Sequence, residues 1–243
     1  MTRDADSLAV WPTSGASVSP LTLAREMMAL TQATIAPPPF PEDAAHGDGQ
    51  PVIVIPGFLA PDMSTARLRG FLTQQGFYVR SWNGGINLGP MPNVVRNVIG
   101  QVEALANMTG RKVALVGISL GGTTAREIAK QCPDRIARVI TLVSPIHLPV
   151  ATPLAPLAQA ASRLWDPADL AGMKAIAEAP PVPLTAVISR DDGIIEWERS
   201  RPAPAEHVEV VEIDGAHMAI CTNPQAQRIV ADRLARDNKR TSP

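Results

Sequence analysis

Cysteine is scarce in this sequence, because Cys132 and Cys221 are the only two among 243 residues. Neither belongs to a set of residues at metal-ligand spacing, and two cysteines far apart in the chain do not make a disulfide framework. Both residues are therefore expected to be core or surface thiols. We predict that the protein works without a metal ion or another cofactor.

The sequence also lacks an excess of charge and any long apolar run. The formal net charge is -1 with the charged residues dispersed, so there is none of the basic surface that binding to nucleic acid requires. No apolar run is long enough to span a membrane, and the first residues lack the apolar core of a signal peptide. These features predict a soluble cytoplasmic protein that does not bind nucleic acid, and they leave its oligomeric state open.

What the sequence does contain is a regular alternation of apolar runs and amphipathic segments. Continuous apolar runs are typical of strands that are buried on both faces of a parallel sheet. The predicted strands are 52–55, 77–82, 113–116, 138–143, 183–189 and 208–213. Helical patterns between them predict an α/β fold with a doubly wound, mainly parallel sheet of about six strands. Its core would comprise residues 51–145 and 182–236.

Three segments stand outside this alternation. Residues 1–50 are rich in proline and glycine and predict an N-terminal extension with one short helix, near 21–31, that packs through Leu23, Met27 and Leu30. Residues 146–181 are too long for an ordinary connection, and we expect them to cover the ligand site as a cap. Residues 237–243 are expected to form a flexible tail.

The most informative stretch is the Gly-x-Ser-x-Gly pattern from Gly117 to Gly121. It follows a predicted strand and precedes a predicted helix, so Ser119 would lie on a sharp turn at the carboxyl end of the strand. The same turn would direct the amide of Leu120 towards an oxyanion that forms beside the serine. Ser119 is therefore the candidate nucleophile.

A serine hydroxyl needs a base, and the chain has four histidines. His46 lies in the N-terminal extension, and His207 precedes the last strand at the wrong edge of the sheet. His147 follows the fourth strand and is a candidate for substrate contact. His217 follows the sixth strand at the carboxyl edge, so its position makes it the preferred base.

The base in turn needs an acid that orients it. Asp191 and Asp192 form a turn after the fifth strand, and both are candidates. We prefer Asp192 because it directly precedes Gly193 and an apolar pair. The other aspartate would then be a turn former that binds backbone amides.

The second oxyanion donor is expected from the loop after the first strand, where Gly57 permits a tight bend and the amide of Phe58 is the candidate. Trp82 and Trp165 could line an acyl pocket together with His147. Both tryptophans are equally explained by packing.

These motifs resemble those of the α/β-hydrolase superfamily, in its lipase- and esterase-like branch. The resemblance covers about residues 51–234 and keeps the order Ser, Asp, His. It implies a catalytic triad of Ser119, Asp192 and His217 and an oxyanion hole formed by the Phe58 and Leu120 amides. Because the first 50 residues replace the leading antiparallel strands of the superfamily, the sheet should be a minimal core.

The function that the sequence favours is hydrolysis of carboxylic esters with short- to medium-chain acyl groups or another apolar group. An acyltransferase would use the same acyl-enzyme with a different acceptor, so the sequence does not separate the two. A binding protein that keeps the fold without catalysis is a third hypothesis, since a fold alone implies no activity.

Overall fold

A single six-stranded sheet organises the chain, and all of its neighbouring strands are parallel. The computed structural model describes residues 20–89, 91–147, 152–154, 156, 157, 160 and 176–236. The strand order is β2-β1-β3-β4-β5-β6. The strands are β1 (Pro51–Ile55), β2 (Tyr78–Ser81), β3 (Val113–Ile118), β4 (Ile136–Leu142), β5 (Leu184–Ser189) and β6 (Val208–Ile213). The predicted doubly wound parallel sheet is therefore confirmed.

Five α-helices accompany the sheet within the described residues. They are α1 (Pro20–Ile35), α2 (Ala66–Gln74), α3 (Pro92–Thr109), α4 (Leu120–Gln131) and α5 (Pro224–Ala235). Helix α3 begins with proline at its first turn and ends at Gly110, whose φ of 67° is a left-handed conformation that favours glycine. Helix α5 is capped by Asn223, whose side chain accepts the amides of Gln225 and Ala226.

The two faces of the sheet have separate cores because the side chains of each strand alternate. In β1, Val52 and Val54 pack with α2 and α5, whereas Ile53 and Ile55 pack with α3 and α4. All five residues of β1 are buried, as expected for a central strand covered by helices on both sides.

The strand order places a crevice at the carboxyl ends of β1 and β3. The chain runs from β1 outward to β2 at one edge, then crosses back to β3 on the other side of β1. Ligands of open α/β sheets bind at such a reversal of strand order. Ile55 pairs with Gly117, so both strands end together at this point, immediately before the glycine-rich turn of β1 and the serine turn of β3.

Helix α1 packs on the body, but through a different face from the one that its apolar spacing predicts. Leu23 and Met27 are 36% and 49% exposed, whereas Glu26 is only 1% exposed. The prediction that Leu23 and Met27 face inward is therefore wrong. The physical reason is that the Glu26 carboxylate binds three backbone amides, and these bonds turn the side of α1 that carries Glu26 towards the body.

The expected cap, residues 146–181, lies largely outside the described residues. Its last residues before β5 are described, and they are held by Arg126 of α4. The Arg126 guanidinium donates through Nη2 to the carbonyl oxygens of Ile176, Ala177 and Glu178, at 3.0, 3.1 and 2.9 Å. Burial lowers the pKa of Arg126 to about 10. These three bonds fix the point where the segment returns to the sheet.

Candidate active site

Ser119 occupies a strained turn between β3 and α4. Its φ of 50° and ψ of -126° lie in a region that L-residues with side chains rarely adopt. The amide of Ser119 donates to the carbonyl of Leu142 at 2.8 Å, which ties the turn to the end of β4. Such strain persists only where the surroundings enforce it, and it places the serine side chain at the carboxyl edge of the sheet.

Three glycines allow this turn to form, because a side chain at any of these positions would clash with its neighbours. A Cβ at Gly117 would lie 2.3 Å from the Gly121 carbonyl oxygen, and a Cβ at Gly121 would lie 2.4 Å from the carbonyl oxygens of Ile55 and Pro56. A Cβ at Gly122 would meet the Ser144 hydroxyl at 2.0 Å. The first turn of α4 is thereby packed directly on the ends of β1 and β3.

His217 and Asp192 form a buried hydrogen-bonded pair. The His217 Nδ1 lies 2.8 Å from Asp192 Oδ2, and their side chains are 6% and 1% exposed. The other oxygen of Asp192, Oδ1, accepts the amides of Ile194 and Ile195, each at 2.8 Å. The carboxylate is thus held on both oxygens, with one directed at the imidazole.

Asp191 has a different role in the same turn. Its Oδ2 accepts the amide of Gly215 at 3.1 Å, so it joins the turn after β5 to the loop that carries His217. Ser189 strengthens the same connection, because its hydroxyl donates to the Gly215 carbonyl at 2.6 Å. The geometry therefore selects Asp192, and not Asp191, as the partner of the histidine.

The serine and the histidine–aspartate pair all follow the carboxyl ends of parallel strands, so they lie at one edge of the sheet. Among the described residues the structure gives Ser119 Oγ no hydrogen bond to His217. The order Ser, Asp, His along the chain follows from the order of β3, β5 and β6 across the sheet.

The loop after β1 lies against the serine. A Cβ built on Gly57 would be 3.3 Å from the Ser119 Cβ, so this loop lies in close contact with the serine. Within the described part of the chain, the amides of Phe58 and Leu120 donate to no other group. Two unpaired amides beside a serine are the arrangement that an oxyanion requires.

Asn87 holds this loop in place, and sequence reasoning missed it. It is fully buried, and its Nδ2 donates to the Pro56 carbonyl at 2.7 Å. Its backbone carbonyl accepts the amide of Leu59 at 2.8 Å, and its backbone amide donates to the Ala60 carbonyl at 3.2 Å. A lone asparagine in the loop after β2 carries no sequence signal for this role.

Glu26 is the second functional candidate that the sequence did not reveal. Its Oε1 accepts the amides of Gly193 at 2.7 Å and His217 at 3.0 Å, and its Oε2 accepts that of Met218 at 2.8 Å. The available signal was one acidic residue in α1, directly after Arg25. That pattern alone does not distinguish a buried carboxylate from an exposed one.

The three predicted substrate contacts fall in different places. His147 Nε2 lies 2.9 Å from the Arg201 carbonyl oxygen, and the imidazole borders a hollow with Glu196, Glu198 and Arg199. Trp82 is fully buried in the core beside α3, and its indole donates to the Gly85 carbonyl. Trp82 therefore packs in the core. Trp165 lies outside the described residues.

Cys221 follows His217 closely but does not compete with Ser119 as a nucleophile. Burial of its thiol raises the pKa of Cys221 to about 12. The reactive thiolate is therefore scarce at neutral pH. Its side chain packs against the core on the face of the sheet that α2 and α5 cover.

Comparison with known proteins identifies the architecture. A family model described as the alpha/beta hydrolase fold matches residues 91–174, which include the serine turn. The chain has the α/β-hydrolase fold. Similar solved structures include a monoacylglycerol lipase from Paleococcus ferrophilus, with a TM-score of 0.58 and 18% identity over 80% of this chain and 97% of that one.

Two further structures extend the comparison. Lipase B from Aspergillus fumigatus has a TM-score of 0.63 and 20% identity over 82% of this chain and 56% of that one. EstE1, a carboxylesterase cloned from a metagenomic library, has a TM-score of 0.60 and 15% identity over 91% of this chain and 98% of that one. No curated protein sequence matches the chain. At these identities the likeness establishes the α/β-hydrolase fold itself.

Within the described residues, no helix is both long and apolar enough to cross a membrane. The described histidines, cysteines and acidic residues form no cluster of three that could hold a metal ion.

Proposed function

We propose that this α/β-hydrolase is a serine hydrolase that cleaves carboxylic esters. The observation that carries the proposal is the buried hydrogen bond between Asp192 and His217, at the sheet edge where Ser119 occupies a strained turn. A buried imidazole oriented by a carboxylate is the base that a serine hydroxyl needs. The unpaired amides of Phe58 and Leu120 supply the matching oxyanion site.

The reaction would proceed in two halves. In the first, Ser119 Oγ attacks the ester carbonyl while His217 accepts the hydroxyl proton through Nε2. The imidazolium then returns this proton to the leaving alcohol, and an acyl-enzyme remains. In the second, water attacks the acyl carbonyl, His217 takes the water proton, and protonated His217 delivers it to Ser119 Oγ as the acid leaves.

Asp192 and the two amides would act throughout both halves. Asp192 keeps the Nδ1 of His217 as the donor of their hydrogen bond and stabilises the imidazolium that forms. The Phe58 and Leu120 amides stabilise the negative oxygen of each tetrahedral intermediate. In other hydrolases, removal of one such donor lowers kcat by about 10²- to 10³-fold.

The composition of the expected cap and the similar structures support a proposal for the substrate class. Esters with short- to medium-chain acyl groups or another apolar group are proposed, since the segment that should cover the site, residues 146–181, is rich in alanine, leucine and proline. The similar structures described as lipases and a carboxylesterase support ester substrates.

The experiment is hydrolysis of p-nitrophenyl esters of increasing chain length by the wild type, Ser119→Ala and the control Ser64→Ala. Ser64 is exposed, and its hydroxyl donates to the Pro61 carbonyl within its own turn, so its replacement should leave kcat/KM unchanged. Ser119→Ala should lose at least about 10⁴-fold in kcat.

Turnover that survives in Ser119→Ala would contradict the assignment of the nucleophile. Product analysis with added alcohols separates hydrolysis from acyl transfer, because a transferase forms the new ester in preference to the free acid. A wild type that neither turns over esters nor reacts with a fluorophosphonate probe at Ser119 would indicate a binding protein.

A further inference from the structure

Glu26 is a buried carboxylate outside the proposed triad, and it comes from the N-terminal helix rather than from a loop of the sheet. It is 1% exposed, and its two oxygens accept three backbone amides. Among the described residues no lysine or arginine forms an ion pair with it. The three backbone amides therefore offset the cost of burying the Glu26 carboxylate.

The three amides belong to the two loops that carry the acid and the base. Gly193 directly follows Asp192, and the second amide is that of His217 itself, followed by that of Met218. One rigid carboxylate thus spans the acid loop and the histidine loop. We propose that Glu26 is a positioning residue that fixes His217 and Asp192 relative to each other and to Ser119, an inference that rests on the proposed ester hydrolysis.

The absence of a side chain at residue 193 supports this role independently. A Cβ at Gly193 would lie 2.9 Å from Glu26 Cγ and 2.6 Å from Thr22 Cγ2. A side chain at residue 193 would therefore force the Thr22 and Glu26 side chains to move. The close approach brings the Gly193 amide to 2.7 Å from Glu26 Oε1.

Charge explains why a carboxylate is needed here. Hydrogen bonds from amides to an ionised acceptor are shorter and about twice as strong as neutral ones. Glutamine keeps the shape of the side chain but replaces one oxygen with an NH₂ donor. In either orientation of the glutamine amide, this donor faces at least one of the three backbone N–H groups, and the contact becomes repulsive.

The effect on catalysis should appear in kcat. A displacement of about 1 Å in a catalytic group can cost about 10²-fold in rate. Glu26 is buried and bonds the backbone of the base, so its replacement should change the geometry of the base rather than the binding of the ester. Glu26→Gln is therefore expected to lower kcat by about 10- to 100-fold, while KM changes by less than about threefold.

A control on the same helix separates positioning from simple attachment of α1. Leu30 lies one turn after Glu26 and is half-buried, and Leu30→Ala loosens the helix without removing any of the three amide bonds. We expect Leu30→Ala to lower the melting temperature and to keep kcat within about threefold of the wild type.

Glu26→Asp keeps the charge on a shorter side chain and should retain an intermediate kcat. If Glu26→Gln does not fold, Glu26→Asp takes its place.

A readout that needs no turnover tests the same contacts. NMR hydrogen exchange of the Gly193, His217 and Met218 amides should be at least tenfold faster in Glu26→Gln, and the low-field proton of the His217–Asp192 hydrogen bond should shift or broaden. In Leu30→Ala that proton should remain unchanged.

The two proposals fail in different ways. If the wild type does not hydrolyse esters, the ester proposal fails, and the exchange rates and the low-field proton decide the role of Glu26. An unchanged kcat and unchanged exchange in Glu26→Gln, or equal loss of kcat in Glu26→Gln and Leu30→Ala, would overturn the positioning role.

Discussion

Gly121 is the position where a single added methyl group should damage both the packing and the oxyanion site. The residue stands in the first turn of α4, directly after Leu120, whose amide is one of the two proposed donors. A Cβ added there would lie 2.4 Å from two carbonyl oxygens, those of Ile55 and Pro56. Both oxygens belong to the backbone, so no side-chain rotation can relieve the contact.

The magnitude follows from that distance. Ordinary contacts of this kind begin at 3.4 Å, so Gly121→Ala requires α4 and the end of β1 to separate by about 1 Å. Overpacking of this kind costs about 1–3 kcal/mol of stability. The separation also moves the Leu120 amide away from the loop of Phe58. A loss of about 10²-fold in kcat is therefore expected, as for removal of one oxyanion donor.

The assay combines steady-state hydrolysis of a p-nitrophenyl ester with urea or thermal unfolding. Gly70→Ala in α2 is the matched control, because nothing lies within 4 Å of a Cβ at Gly70. The same change there should stabilise the protein by up to about 1 kcal/mol, since alanine is the better helix former. A Gly121→Ala protein with wild-type kcat and stability would refute the close packing of the serine turn on β1.

Two further predictions concern the loops around the site. In the wild type, Asn87 Nδ2 donates to the Pro56 carbonyl oxygen at 2.7 Å. Replacing Asn87 with aspartate keeps one side-chain oxygen but puts a second oxygen in place of this donor, so that two oxygens face each other. Asn87→Asp should lose about 1–3 kcal/mol of stability and about tenfold or more in kcat, measured by urea unfolding and ester hydrolysis; unchanged values would exclude Asn87 as the support of the oxyanion loop. Asp192→Asn should lower kcat by about 10³- to 10⁴-fold, whereas Asp191→Asn should cost less than about tenfold. The reverse order in the same kinetic assay would transfer the role of the acid to Asp191.

The fold could be predicted because its signals are local. The pattern around β6 gave its bounds as 208–213, and the structure has Val208–Ile213. Helix α4 begins directly after Ser119, whose φ of 50° leaves the extended conformation of β3. Asn223 and Pro224 marked the start of α5 through capping, which depends only on neighbouring residues.

The supports of the site could not be predicted because they join residues far apart in the chain. The Glu26 bonds cross separations of 167 to 192 residues, and no local pattern records which carboxylate meets which amide. The apolar spacing of α1 favoured Leu23 and Met27 as its inner face. Three charge-assisted bonds at Glu26 decided the orientation instead.

The turn after β5 shows how one aspartate can have two roles that the sequence analysis predicted for two different aspartates, Asp191 and Asp192. The turn after β5 needs an acceptor for its amides, and the histidine needs an oriented acid. We expected the residue that is not the acid to bind the turn amides. Asp192 does both, because its Oδ1 binds the amides of Ile194 and Ile195 while Oδ2 faces His217. Binding the turn is what directs the second oxygen at the imidazole. Asp191, one residue earlier, is left to bind Gly215 in the histidine loop.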